Sequence, residues 1–308
     1  MSKLSKLLQV TDAEKRAVLE EFDTTDEQFE ENVKLMREWL EKSEHLPKEN
    51  NDNKLKVSLL NNKMSLEKAK QCLEGYYRVR TTYSEEFFDK LLPNTEIYKQ
   101  AKPLTITVPL PKLTPDLCRI TVFRFNDPQG NASDAFLYSI MALMMAEIRV
   151  AQDCFASNII LVDMTGFTWK NMVKYTPSIY NKLLNILHSI NLRIKAIHIV
   201  NLSPLIDQLM RLFQALLPLK LQNRIQTHHN FDTLHQHIPK ECLPVNYDGK
   251  LKSVEELYDE WCQQLEEMED TFKKLLTAKA TKKLELDESS QANLGLGVDG
   301  SFKKLAID

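Results

Sequence analysis

Two short, unbroken apolar runs break the mixed pattern of the chain. Ile159-Ile160-Leu161-Val162 is closed by Asp163-Met164-Thr165-Gly166, and Ile194-Lys195-Ala196-Ile197-His198-Ile199-Val200-Asn201 follows after a segment of helical length. Runs this short and rich in β-branched residues predict strands covered on both faces, because a half-wet strand alternates. Two such strands with a helical connection make a crossover unit in a parallel sheet. The residues that follow keep a different period. Leu205-Ile206, Leu209-Met210, Leu212-Phe213 and Leu216-Leu217 recur at helical spacing and leave mainly Asp207, Gln208, Arg211 and Gln214 polar. A helix with so broad an apolar face, placed just after a strand's carboxyl end where open α/β sheets bind ligands, predicts an apolar pocket with a helical door.

The flanking patterns fill in the rest. Val18, Leu19 and Phe22, then Phe29, Val33, Leu35-Met36 and Trp39-Leu40, predict two amphipathic helices between residue 11 and about residue 42, with Thr24-Thr25-Asp26-Glu27-Gln28 as the start of the second. Pro47 and Asn50-Asn51-Asp52-Asn53 interrupt; Leu55 and Leu59-Leu60 open a further helix, and Ser65 caps the next, which runs through Tyr76-Tyr77 and Val79. Residues 1–92 thus read as a helical bundle. Five prolines between Pro93 and Pro115 mark the junction to residues 93–250. There Thr105 to Val108 and Cys118 to Phe125 predict strands, and Ala132 to Arg149 a helix carrying Met141, Met144 and Met145. Ile225 to His229 predicts a last strand. In residues 251–308, Val254 to Leu276 predicts one amphipathic helix, and a loosely held tail begins near Asp287. The expected fold is α/β: a helical N-terminal bundle, then a mostly parallel five-stranded sheet with flanking helices and a mobile lid helix over an apolar pocket.

Composition narrows the function. A chain of 308 residues with net charge −3 has no global field to recruit nucleic acid, so attraction to an anionic surface must come from a local patch. The five scattered cysteines form no C-x-x-C pair and fit a reducing cytoplasm. The first residues lack the apolar core of a signal peptide, and no segment is expected to reach the roughly 18 apolar residues a membrane span needs. Of only seven glycines, three (Gly295, Gly297, Gly300) lie near the end of the chain, so no glycine-rich phosphate loop is available for a nucleotide cofactor.

Several stretches together resemble the CRAL-TRIO lipid-transfer family. Arg37-Glu38-Trp39-Leu40, His45-Leu46-Pro47, Ser65-Leu66-Glu67-Lys68-Ala69 and Tyr76-Tyr77-Arg78-Val79-Arg80-Thr81 resemble its helical N-terminal domain. Cys118 to Pro128, Asp163 to Phe167, Tyr175-Thr176-Pro177-Ser178, Ile197 to Asn201 and Leu234 to Tyr247 resemble its lipid-binding domain, in order. The ending from Gly297 to Leu305 resembles members from insects. The resemblance implies a non-enzymatic cytoplasmic monomer that carries one small hydrophobic ligand, of tocopherol, retinoid or carotenoid kind, and meets membranes peripherally. It implies no cofactor, no metal and no nucleic-acid partner. By position it puts the pocket lining on Leu137, Ile140 and Met144, on Ile160 and Val162, and on Ile186, Leu187 and Ile190. The mobile helix would add Ile206, Met210, Phe213 and Leu217. Burial of apolar cargo at roughly 25 cal/mol per Å² is enough for tight retention. The resemblance also implies a phosphoinositide head-group cluster at Arg193, Lys220 and Arg224, which would hold phosphate by charge-assisted hydrogen bonds; the plain reading is a solvated basic rim. The family's arginine-rich segment before Ser-Leu-Glu reads Leu60-Asn61-Asn62-Lys63 here, a departure that weakens the cluster.

Other candidate chemistry is thin. His228, His229, His235 and His237 fit no zinc spacing. Asp163 ends a parallel strand, where catalytic carboxylates often sit, yet nothing in the sequence sets a nucleophile beside it, and an Asp-x-x-Gly turn accounts for it. The competing functions are therefore a lipid carrier, a phosphoinositide-binding trafficking adaptor without cargo, and, with least beneath it, a hydrolase using Asp163.

Overall fold

The computed structural model describes residues 7–48, 51–204, 206–208 and 222–281. Its helical first part comprises α1 (Asp12–Glu20), α2 (Asp26–Lys42), α3 (Asp52–Asn61), α4 (Leu66–Thr82) and α5 (Glu96–Ala101). Side chains fix where these helices start: Thr11 with Glu14, and Thr25 with Gln28, each form a reciprocal capping box. Ser65 precedes α4 but makes no side-chain cap, in keeping with Lys68 at the position where a carboxylate would answer it. Buried Val18, Phe29, Val33, Met36, Leu40, Leu55, Leu59, Leu73 and Tyr77 form the core of this part.

The sheet comprises β1 (Thr105–Leu113), β2 (Cys118–Phe125), β3 (Ser157–Asp163), β4 (Ile194–Val200) and β5 (Ile225–Thr227), in the spatial order of the chain. β1 is antiparallel to β2 and the remaining pairs are parallel. β1 runs through Pro109 and Pro111, longer than the expected strand. Proline is tolerated there because β1 is an edge strand, and the register with β2 shifts between Pro109 and Leu113. The connections are α6 (Ala135–Gln152) between β2 and β3, α7 (Trp169–Met172) and α8 (Pro177–Ile190) between β3 and β4, and residues 201–224 between β4 and β5. With a strand order that never reverses, right-handed crossovers put the first two connections, α6 and the pair α7 and α8, on one face of the sheet. The other face is covered by α9 (Phe231–His235), the turns up to Tyr247, and α10 (Val254–Glu267).

Two expectations are corrected here. α6, at 18 residues and mean hydropathy 1.3, is long and apolar enough to cross a membrane, but 72% of it is buried and it is the central core helix. The amphipathic stretch from Val254 is two helices, α10 and α11 (Glu269–Thr277), broken at Met268, whose φ of −96° and ψ of 17° leave the helical region. Past the break, Phe272 is buried in the core.

The helical part is tied to the sheet part by a buried polar link. Arg80 Nη1 donates to Glu147 Oε1 at 2.7 Å, Tyr76 OH donates to the same carboxylate, and Lys54 Nζ stands 4.4 Å from the centre of the Tyr76 ring.

Candidate functional site

Side chains alternate between the two faces of each strand. The face covered by α9 and α10 is the better closed. Ile120 and Val122 of β2, Ile159 and Leu161 of β3, and His198 and Val200 of β4 are all buried. Asp163 shares this face: its Oδ2 accepts from Tyr247 OH at 3.0 Å, and its Oδ1 from Thr165 N–H and Asn201 Nδ2 at 2.9 and 2.8 Å. Both oxygens are thereby committed to the turn. Gly166 completes it with φ of +79°, and a Cβ there would stand 2.8 Å from the Phe125 carbonyl oxygen.

The opposite face is different. Thr121 and Phe123 of β2, Ile160 and Val162 of β3, and Ile197 of β4 are neighbours by register, and all are partly exposed. A central parallel strand paired on both sides normally has both faces covered. α6 crosses this face: the Phe125 and Tyr138 rings pack at 5.3 Å, and Thr105 Oγ1 donates to the Tyr138 carbonyl. Near the strands' carboxyl ends Ile206 is buried with Met164 and Ile199, and Val162, Phe167, Ile197, Leu202 and Ile225 pack partly buried around them. The helices therefore stand off the middle of β2, β3 and β4 and leave a strip of apolar side chains incompletely covered. Such a strip suits an apolar guest and offers it almost no hydrogen-bonding group.

The candidate lining residues fall into three sets. Ile160, Val162 and Ile206 lie on this face. Leu137, Ile140, Met144, Ile186 and Ile190 come from the two helices over it and are buried in the main core, packed among side chains of the protein. Leu187 does not join Ile186: one residue on is about 100° further round a helix, and it is 49% exposed. Met210, Phe213, Leu217 and Lys220 lie outside the described residues. Of the basic candidates, Arg193 donates from Nη1 to the Ala156 carbonyl at 3.0 Å and lies 4.9 Å over the Phe22 ring. Arg224, partly exposed, precedes β5, and its carbonyl accepts from Ile197 N–H.

An exposed apolar pair that the sequence pattern does not single out lies beside the sheet. Trp169 and Val173, each 58% exposed, project from α7 and its end beside the carboxyl edge of the sheet, with Lys170 and Lys174 between and after them. The available signal was an aromatic and an aliphatic residue four apart, each followed by lysine. The histidines make a different cluster. His198 Nδ1 and His228 Nε2 are 2.9 Å apart, and His237 lies over both rings. Thr233 donates its hydroxyl proton to the Asn230 carbonyl, so it accepts from His228 Nδ1–H, and His198 Nδ1–H must be the donor to His228 Nε2. Burial lowers the pKa of His198 to about 4 and that of His228 below its ordinary value, the neighbouring histidines adding to both effects. Among the described residues no group of three or more His, Cys, Asp or Glu side chains is arranged to hold a metal ion.

The chain is similar to known proteins in two regions. Residues 107–249 match the CRAL/TRIO domain, and residues 25–97 match a Pinta-like UBA domain. A human protein described as alpha-tocopherol transfer protein-like is 24% identical over 252 residues, 75% of this chain and 72% of its own length. Clavesin-1 from Xenopus laevis is 34% identical over 95 residues, covering 30% of this chain and 29% of its own. A solved structure described as Sfh5 aligns with 82% of this chain and 93% of its own at 10% identity and a TM-score of 0.40.

Proposed function

From the premise that this is a CRAL/TRIO-domain protein, we propose that it carries one small hydrophobic lipid, of tocopherol, retinoid or carotenoid kind, and passes it to membranes. The observation that carries the reading is the incompletely covered apolar strip of Thr121, Phe123, Ile160, Val162 and Ile197 in the middle of the sheet. A guest burying about 400 Å² of apolar surface there gains roughly 10 kcal/mol, from which the cost of immobilising it is subtracted. Ile206 packs on Met164 and Ile199 at the carboxyl end of the strip. Trp169 and Val173 beside it supply exposed apolar surface and Lys170 and Lys174 supply charge, the combination that seats a protein in an anionic membrane interface. The carrier works as a cytoplasmic monomer that touches membranes only in passing.

Transfer of a fluorescent apolar lipid from donor to acceptor vesicles tests this. The native chain should accelerate transfer, and Trp169→Ser with Val173→Ser should slow it while leaving binding in solution unchanged. No acceleration by the native chain would contradict the carrier.

The second reading is an adaptor that binds phosphoinositide through Arg193, Lys220 and Arg224 without cargo. Partly exposed Arg224 favours it, and the commitment of Arg193 to Ala156 and Phe22 weighs against it. Binding to phosphoinositide vesicles with no lipid uptake would be its signature.

A further inference from the structure

The incompletely covered face of the sheet carries an unneutralised charge at its lower end. Arg119, Arg149 and Asp153 lie together, at 0%, 3% and 1% exposure. Asp153 is saturated: its Oδ1 accepts from Arg119 Nη2 at 2.7 Å and from Cys154 N–H at 2.8 Å, and its Oδ2 accepts from Arg119 Nε and Arg149 Nε, each at 3.1 Å. Arg119 is equally well served, since Nη1 also donates to the Leu110 and Pro111 carbonyls at 2.9 and 2.6 Å. Arg149 is not. Its Nη1 donates to Thr121 Oγ1 at 3.1 Å, its guanidinium lies 4.7 Å over the Phe155 ring, and its Nη2 is buried with no hydrogen-bond partner.

Two guanidinium groups share one carboxylate, so the cluster holds a net positive charge away from water. An isolated buried charge is strongly unfavourable, and an arginine surplus of this kind persists only where something offsets it. The effect registers on Arg149 itself: burial lowers its pKa, the Asp153 carboxylate pulls the other way, and Arg119 pushes it lower again. Arg149 reaches the proposed pocket through Thr121, a partly exposed residue of the apolar strip and the register partner of Ile160. From Thr121 to Phe125 the strand covers about 13 Å, a run along which a hydrocarbon chain could lie.

We propose that Arg149 is the head-group receptor of the pocket and that the cargo is a long apolar molecule ending in a carboxylate. Any acceptor would satisfy Nη2, but only an anion also removes the surplus charge, and a single carboxylate matches a surplus of one. The planar guanidinium presents parallel N–H groups suited to such an anion. This inference rests on the carrier reading and specifies its substrate class.

Binding of a fluorescent polyene fatty acid and of the alcohol of the same chain to the full-length protein, at pH 7.5, tests it. The acid should bind at least about tenfold more tightly. Arg149→Met should bring the acid and the alcohol to the same affinity, costing the alcohol no more than one hydrogen bond, about tenfold at most. Because Arg119 and Asp153 remain as a balanced pair, that variant without ligand should melt no lower than the native chain. Equal binding of acid and alcohol by the native chain, or a preference that survives Arg149→Met, would overturn the inference and leave the carrier standing. Failure of the native chain to bind either probe would overturn both.

Discussion

Neighbouring residues on β3 give opposite responses to the same kind of substitution if the strip on the sheet is a pocket. Leu161 is fully buried under the segment that ends at Tyr247, whereas Val162, the next residue, faces the other way and is only partly covered. Leu161→Phe forces extra carbon into a closed space, which costs about 2 kcal/mol; in a chain of this length that lowers Tm by roughly 3 °C. Val162→Phe adds more atoms but has room for them, so its effect on stability should stay within about 0.5 kcal/mol. Binding should show the reverse. A phenyl ring at residue 162 displaces two or three methylenes of cargo at about 0.8 kcal/mol each, a loss near 2 kcal/mol or roughly thirtyfold in Kd. Leu161→Phe, if folded, should bind normally. The assay is thermal melting of both variants beside titration with a fluorescent apolar ligand. If Val162→Phe melts as low as Leu161→Phe, the face above Val162 is filled by protein and the reasoning fails.

Other consequences are independent of the cargo. Glu147→Leu strands the buried Arg80 guanidinium and should cost about 3–5 kcal/mol in urea denaturation, because Arg80 and Glu147 are 2% and 5% exposed; a loss under 1 kcal/mol would show that water reaches the pair. The histidine cluster makes stability pH-dependent. His198 has a folded pKa of about 4 against an ordinary 6.5, so between those values the unfolded chain holds more protons, and stability is full above 6.5 and falls towards 4. At 1.36 kcal/mol per unit, reduced for solvent admitted beside exposed His237, the loss is about 2 kcal/mol. His198→Gln keeps a donor towards His228 and should flatten the slope; an unchanged slope would assign the titration elsewhere. Gly166→Ala meets both positive φ and the Phe125 carbonyl and should cost about 1–3 kcal/mol by thermal melting, whereas no change would show that the turn can re-form.

The middle of the sheet was readable because β3 and β4 are mostly apolar runs, and burial leaves the same mark on sequence whatever covers it. That uniformity also hid the site. Ile159 and Ile160 are the same residue type, and nothing local says that one is buried while the other stays partly exposed. Leu187 shows a second limit, since one step along a helix turns a side chain from Ile186's buried side to solvent, and apolar type alone does not fix the phase. The prolines of β1 suggested a junction because the strand's place at the sheet edge depends on which strands pair. Nothing local to Arg149 sets it apart from any other cation in the last turn of a helix. Its surplus charge arises only because Arg119, far away in sequence, already occupies Asp153. The turn at Asp163 and the Thr25 cap were legible because each has a partner within three residues, Thr165 and Gln28.

The central claim is that the middle of the sheet holds a removable apolar guest. Native mass spectrometry of the purified chain, followed by organic extraction and identification of what is released, tests it most directly. The account predicts one small apolar molecule per chain, lost in Val162→Phe and regained by the native protein from lipid vesicles. A chain that carries nothing and takes up nothing from vesicles would contradict it.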